Sequence, residues 1–183
     1  MSHAIAGLAL LAAVTLVNAL LTVAVSKRWR TAMAPAPAAA PPGPPALAVR
    51  EGDRTPAFTL HTPLGEVGEA GLAGHPALIC FLRPDCGPTR DSLPQIQRWA
   101  EANTPSGARL VAVVSGPPAD AGPLLEAVGP LTELTATEPP NGPLAAAFGV
   151  RHHPSFVLLD ADGTVTGTGI GQGSLPALDP VTA

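Results

Sequence analysis

Hydrophobic positions fall along this chain in three regimes. Ala4 to Val25 is a long apolar run interrupted only by Thr15, Asn18 and Thr22. A helix of about 20 such residues crosses the ~30 Å hydrocarbon core of a bilayer, so the run predicts one transmembrane helix. Thr31 to Ala48 has no periodicity; Pro and Ala dominate and charge is absent. That composition predicts a semi-rigid spacer leaning to polyproline II. From Val49 onward, short apolar runs alternate with amphipathic stretches, which is the signature of a folded domain.

Inside that third region the elements can be named. Phe58 to Leu60 predicts a short strand, and Leu64 to Val67 a turn into a second. Pro76 to Leu82 is continuously apolar, as expected of a central strand buried on both faces. Asp91 to Asn103 places Leu93, Ile96, Trp99 and Ala100 on one helical face. Arg109 to Ser115 predicts a second buried strand, Asp120 to Val128 a short helix, and Leu131 to Thr137 a weak strand. Pro143 to Phe148 predicts a short helix ended by Gly149, and Phe156 to Asp160 a third strong strand. Asp162-Gly163 is a tight hairpin turn into Thr164 to Gly167. Strands alternating with helices and closed by a hairpin give an α/β domain with a mixed sheet. Phe58, Phe81, Phe148 and Phe156 all fall on core-type positions. The predicted organisation is a tip at 1–3, a membrane helix at 4–25, a basic flank and Pro/Ala-rich linker at 26–48, a folded domain at 49–173 and a tail at 174–183. The tail is expected to form at most a short helix.

Composition changes the picture in two places. The chain of 183 residues holds 23 Pro, a content that can signal disorder, but they are unevenly spread and leave the domain a real core. The net charge of −4 supplies no basic footprint, so nucleic acid is excluded as a partner. The N-terminal run is read as an uncleaved, single-pass anchor. Met1-Ser2-His3 lacks the positive start of a signal peptide, and Lys27-Arg28-Trp29-Arg30 follows directly. Trp29 beside basic residues suits a membrane interface. Ala32-Met33-Ala34 has the small residues of a cleavage site, but the charged cluster before it argues against one.

Cys80 and Cys86 are the two cysteines. Two thiols make neither a disulfide scaffold nor a zinc site. Cys80 lies inside an apolar strand and is expected to be structural and inert. A bond between it and Cys86 would join a strand interior to a helix start, a doubtful geometry. Cys86 sits where the buried strand gives way to a loop and then a helix. Free N–H groups and a partial positive charge at a helix start favour a thiolate. Pro88 fits the first helical turn, and Thr89, three residues after Cys86, is placed to hydrogen-bond the sulfur. His152 and His153 are read as loop residues near the site rather than metal ligands; no motif for a metal or cofactor accompanies them.

The segment Cys86-Gly87-Pro88-Thr89 between strand and helix resembles the active site of the thioredoxin superfamily, whose usual form is Cys-Gly-Pro-Cys. His152-His153-Pro154-Ser155-Phe156 to Asp160 resembles that family's cis-proline loop and following strand. Glu51 to Leu60 is similar to the opening of membrane-anchored TlpA-like disulfide reductases and of the redoxin/peroxiredoxin branch. The layout of anchor, linker and redoxin domain is also similar to that of accessory proteins for methylamine dehydrogenase maturation. The resemblance implies a thioredoxin-like fold from about Val49 to Gly169, a cis Pro154, and site residues Cys86, Pro88, Thr89 and Pro154. It implies a protein or small-molecule disulfide or thiol as substrate.

The departures shape the expected function. Thr89 replaces the second cysteine, so an external thiol must resolve any mixed disulfide formed at Cys86. Asp85 replaces an aromatic and opposes a neighbouring thiolate, with Arg83 and Arg90 as possible compensation. The peroxiredoxin branch has Thr three residues before its cysteine and Pro seven before; here stand Arg83 and Ile79, so standard peroxidase chemistry is not expected. The leading expectation is a tethered one-cysteine thiol–disulfide oxidoreductase; its alternatives are a non-catalytic accessory or maturation module of the same fold and, third, a one-cysteine peroxidase. On orientation two expectations conflict. The basic flank places the domain in the cytoplasm, while the resemblance implies the extracytoplasmic side.

Overall fold

The computed structural model describes residues 47–178. The predicted tip at 1–3, the membrane helix at 4–25, the flank and spacer up to residue 46 and the end of the tail at 179–183 lie outside them. Among the described residues no helix is long and apolar enough to cross a membrane.

A five-stranded mixed sheet is built around β3 (Ala77–Leu82), every residue of which is buried. β4 (Arg109–Ser115) pairs parallel to it and β5 (Thr135–Glu138) parallel to β4. β6 (Ser155–Leu159) pairs antiparallel on its other side and β7 (Val165–Ile170) antiparallel to β6. The spatial order is therefore β5-β4-β3-β6-β7. A separate antiparallel hairpin precedes it, β1 (Thr59–Thr62) with β2 (Gly65–Gly68).

Strand side chains alternate between faces, and the two faces bury two different clusters. Leu78, Cys80, Leu82, Leu110, Ala112 and Val114 pack with Ile96, Trp99 and Ala100 of α1 (Gly87–Asn103) and with Leu124 and Val128 of α2 (Gly122–Val128). Ile79, Phe81, Val111 and Val113 pack on the opposite face with Leu144 and Ala145 of α3 (Pro143–Ala147) and with Leu60 of the hairpin. Phe148 anchors this second cluster, with ring centroids 6.1 Å from Phe58 and 5.5 Å from Phe81. All four phenylalanines are buried.

Several boundaries differ from the sequence reading, each for a local reason. α1 begins at Gly87, four residues ahead of the visible periodicity, because its first turn turns polar Thr89 and Ser92 inward. The predicted helix at 120–128 is a 3-10 turn at Pro118–Asp120 followed by α2, with Pro123 in the first turn where its missing N–H costs nothing. Of the weak strand at 131–137, only Thr135 onward pairs; Gly129–Leu131 is a further 3-10 turn. β6 stops before Asp160, whose carboxylate accepts the N–H groups of Asp162 (2.9 Å) and Thr164 (2.8 Å) and so builds the hairpin turn.

The segments before β1 and after β7 are recruited to the core. Leu47 is buried, and the Ala48 N–H donates to the Phe148 carbonyl at 2.9 Å. Gly149 ends α3 at φ +65°, and any side chain there would meet Ala48. The tail from Ser174 to Leu178 is irregular rather than helical. It crosses β7 at Gly169, where a Cβ would collide with the Ser174 carbonyl, and lays Leu175 and Leu178 against the α1 cluster.

Candidate functional site

Cys86 is placed by the end of the most deeply buried strand. After Leu82 the chain makes a turn closed by the Cys86 N–H donating to the Arg83 carbonyl at 3.3 Å. Cys86 itself is extended, at φ −102° and ψ 114°, and is the N-cap residue of α1. Its carbonyl accepts the Arg90 N–H at 3.2 Å, the first bond of the helix. Pro88 occupies the first turn, where helices tolerate a residue without N–H.

The first turn is held from below by two buried hydroxyls. Ser92 Oγ donates to the Pro88 carbonyl at 2.8 Å. Thr89 Oγ1 accepts the Arg83 N–H at 3.3 Å. The expected Thr89–sulfur hydrogen bond is not among those formed; the bond made by the sulfur goes to His153. Thr89 lies on the inward face of the turn, fully buried, and its oxygen ties down the loop instead. The Cys86 thiol donates across the site to the His153 carbonyl at 3.2 Å.

Register explains why His153 is there. Phe81 aligns with Ser155 in the antiparallel β3–β6 pair, so the residues just before β6 lie beyond the end of β3, beside the loop that carries Cys86. The His153–Pro154 peptide bond is cis. Ser155 Oγ donates to the His152 carbonyl at 2.7 Å and closes the same loop.

No family model matches the sequence, and no curated protein matches it. Solved structures do. A Chlorobium tepidum protein assigned as the thiol:disulfide interchange protein DsbE is 26% identical, with TM-score 0.58, covering 68% of this chain and 88% of its own. A Neisseria meningitidis protein assigned as a thioredoxin is 25% identical, with TM-score 0.55, covering 66% and 81%. A secreted Mycobacterium tuberculosis disulfide oxidoreductase homologous to E. coli DsbE is 26% identical, with TM-score 0.50, covering 66% and 87%. The chain has the thioredoxin-like fold. Its structural neighbours are thiol–disulfide oxidoreductases of the DsbE/TlpA type.

Within this thioredoxin-like site the two sulfurs are sharply distinguished. Cys86 is half-exposed and Cys80 buried, and both are free thiols. Cys80 faces Ala112 and Phe156 across the sheet, and burial pushes its thiol far above the ordinary range. The neighbouring charges are unpaired: Arg83, Asp85 and Arg90 are exposed and form no ion pair among the described residues. His153 is held below its ordinary value, first by burial and then by the charges of Arg83 and His152. Its Nε2 is buried without a hydrogen-bond partner. Among the described residues no group of three or more His, Cys, Asp or Glu side chains converges on a point where a metal would sit.

The sequence reading missed Ser92 and Glu138. Ser92 carries a weak signal, a hydroxyl four residues after a helix-opening proline. Glu138 is buried and accepts the N–H groups of Leu144 (2.9 Å) and Ala145 (3.2 Å), capping α3; its spacing from that helix gave no hint. A cavity of about 1010 Å³ lies between β1 and β5, lined by Phe58, His61, Glu69 and Glu138 among others. It does not include Cys86.

Proposed function

We propose that this protein is a membrane-tethered thiol–disulfide oxidoreductase that works with one sulfur, Cys86. The observation that carries the reading is the juxtaposition of a half-exposed cysteine at the start of α1 with the His153–Pro154 loop, on a fold shared with thiol–disulfide oxidoreductases. The attacking species in disulfide exchange is the thiolate, and Cys86 stands as the N-cap residue of α1 with its sulfur beside the His153 carbonyl. Pro88 shapes that start, Thr89 fixes the loop behind it, and Pro154 with His153 presents the opposing backbone on which a substrate segment is laid.

The cycle follows from having one reactive thiol. The Cys86 thiolate attacks one sulfur of a substrate disulfide; the S–S bond breaks, the other sulfur leaves as a thiolate and takes up a proton. A mixed disulfide with Cys86 results. Thr89 has no sulfur to resolve it and Cys80 is enclosed in the core, so an external thiol, deprotonated, attacks the substrate sulfur of the mixed disulfide; a disulfide forms between that thiol and the substrate, and Cys86 leaves as the starting thiolate. The tether reading rests on the apolar run from Ala4 to Val25 and the spacer after it.

Incubation of the reduced protein with a disulfide-bearing client protein is expected to give a covalent complex that reducing agent releases. Cys86→Ser abolishes it, and Cys80→Ser leaves it intact. A complex of equal yield in Cys86→Ser would remove the proposal. The alternative, a non-catalytic accessory module, is favoured by the same Thr89; it predicts full biological activity from Cys86→Ala.

A further inference from the structure

The residue that receives the Cys86 thiol also carries an unsatisfied ring. His153 offers its backbone carbonyl to the thiol at 3.2 Å. Its imidazole Nε2 is buried and has no hydrogen-bond partner among the described residues. Two cationic groups act on that ring, Arg83 from the loop after β3 and His152 from its own loop. Both of these side chains are exposed, and neither is in an ion pair among the described residues.

The surroundings of the ring are one-sided. The titratable and charged groups on the elements that meet at His153 are Arg83, Asp85 and Cys86 on the loop after β3, Arg90 and Asp91 early in α1, and Arg151 and His152 just before it. The end of β7 brings up only Ile170 and then Gly171, whose N–H donates to the Pro154 carbonyl at 2.8 Å. The charges that bear on the ring are the two cations, Arg83 first. A buried ring nitrogen lacks a hydrogen bond that a bound partner would supply. Beside an unpaired guanidinium, the partner that satisfies both is a carboxylate. On the polypeptide client of an oxidoreductase that group is an Asp or Glu side chain.

We propose that Arg83 and His153 form a receptor for a client's carboxylate side chain, so that Cys86 selects disulfides flanked by Asp or Glu. The inference rests on the oxidoreductase reading and extends it to the class of client. Arg83 supplies a fixed charge, and the His153 Nε2–H a directed hydrogen bond. A bound carboxylate favours the protonated ring, whereas the free ring is held neutral to lower pH. The preference for an acidic client therefore grows as pH falls below ~6.5, down to the ~4.3 at which a Glu carboxyl itself takes a proton. The exchange step is unaltered. The Cys86 thiolate attacks one client sulfur, the S–S bond breaks, and the other sulfur leaves as a thiolate and takes up a proton.

The test uses two probes, the disulfide-linked dimers of acetyl-Ala-Glu-Cys-Ala-amide and of acetyl-Ala-Gln-Cys-Ala-amide. Intact mass gives the second-order rate of adduct formation at Cys86 for each. Each rate is divided by that of the same dimer with free 2-mercaptoethanol, which removes the probes' own difference in reactivity. The expected ratio of Glu probe to Gln probe is about three- to tenfold at neutral pH and low salt. It shrinks toward one at high salt and rises by about twofold or more as pH falls to ~5.5. Arg83→Gln is expected to lower the ratio about threefold, and His153→Gln to remove its rise in acid. Because a ratio is read, any change in the thiol's own reactivity in these variants cancels. A ratio of one, or a ratio and pH profile that both substitutions leave untouched, would overturn the receptor while keeping Cys86 as the nucleophile. If neither probe modifies Cys86, the oxidoreductase reading falls and this inference with it.

Discussion

Thr89 stands where the Cys-Gly-Pro-Cys pattern has its second cysteine, and the structure gives it another task. Its oxygen accepts the Arg83 amide, which holds the loop that presents Cys86. Thr89→Cys therefore trades a loop contact, worth about 1 kcal/mol, for a resolving sulfur. The expected outcome is an internal disulfide with Cys86 on oxidation and a mixed disulfide that decays without added thiol, followed by intact mass. A mixed disulfide as persistent as in the parent chain would mean that position 89 lies out of reach. His153 offers a second test at this scale. Burial, Arg83 and His152 hold its native value below the ordinary ~6.5. Between that lowered value and ~6.5 the unfolded chain binds more protons than the native one, so the contribution to stability is full above ~6.5 and lost as pH falls through the window. Denaturant unfolding across this range is expected to show a smaller pH slope in His153→Gln than in the parent chain. Equal slopes would contradict the assignment.

At the scale of elements, what was legible in the sequence is what hydrophobicity alone determines. β3 and β4 could be read from uninterrupted apolar runs, and the inner face of α1 from Leu93, Ile96, Trp99 and Ala100. The start of α1 was hidden because its inward residues, Thr89 and Ser92, are polar, and only tertiary hydrogen bonds make them core residues. The tail was obscure for a similar reason: Gly167 and Gly169 carry no pattern, yet they leave room for Ser174 to Leu178 to cross β7. Glu138 shows how far apart the partners of a cap can be. Its carboxylate serves two amides of α3, and Glu138→Ala leaves both without that acceptor. The expected cost is about 1–3 kcal/mol, read as a lowered denaturant midpoint with an unchanged m-value. A midpoint equal to that of the parent chain would show that the cap is dispensable.

Among the described residues the fold is a sheet whose Cys86-bearing end is defined by topology. Parallel β3 and β4 require the crossover helix α1, and the antiparallel β6 brings the His153–Pro154 loop back to the end of β3. The thioredoxin-like fold was legible from the order of three motifs along the chain. The direction of the Cys86 thiol, toward the His153 carbonyl rather than Thr89, depends on side-chain packing that no motif encodes. One face of the sheet is finished by the tail, with Leu175 and Leu178 against the α1 cluster. Ending the chain after Gly173 is expected to lower Tm by about 5–10 °C, and an unchanged Tm would show that the tail contributes no cover. The proposed activity turns on a single sulfur acting alone. The most direct measurement is intact mass of the reduced protein after a substoichiometric disulfide and then an added thiol. One adduct, mapped to Cys86, stable until the thiol is added and then lost, is the predicted result. An adduct on Cys80, or an internal disulfide in its place, would contradict it.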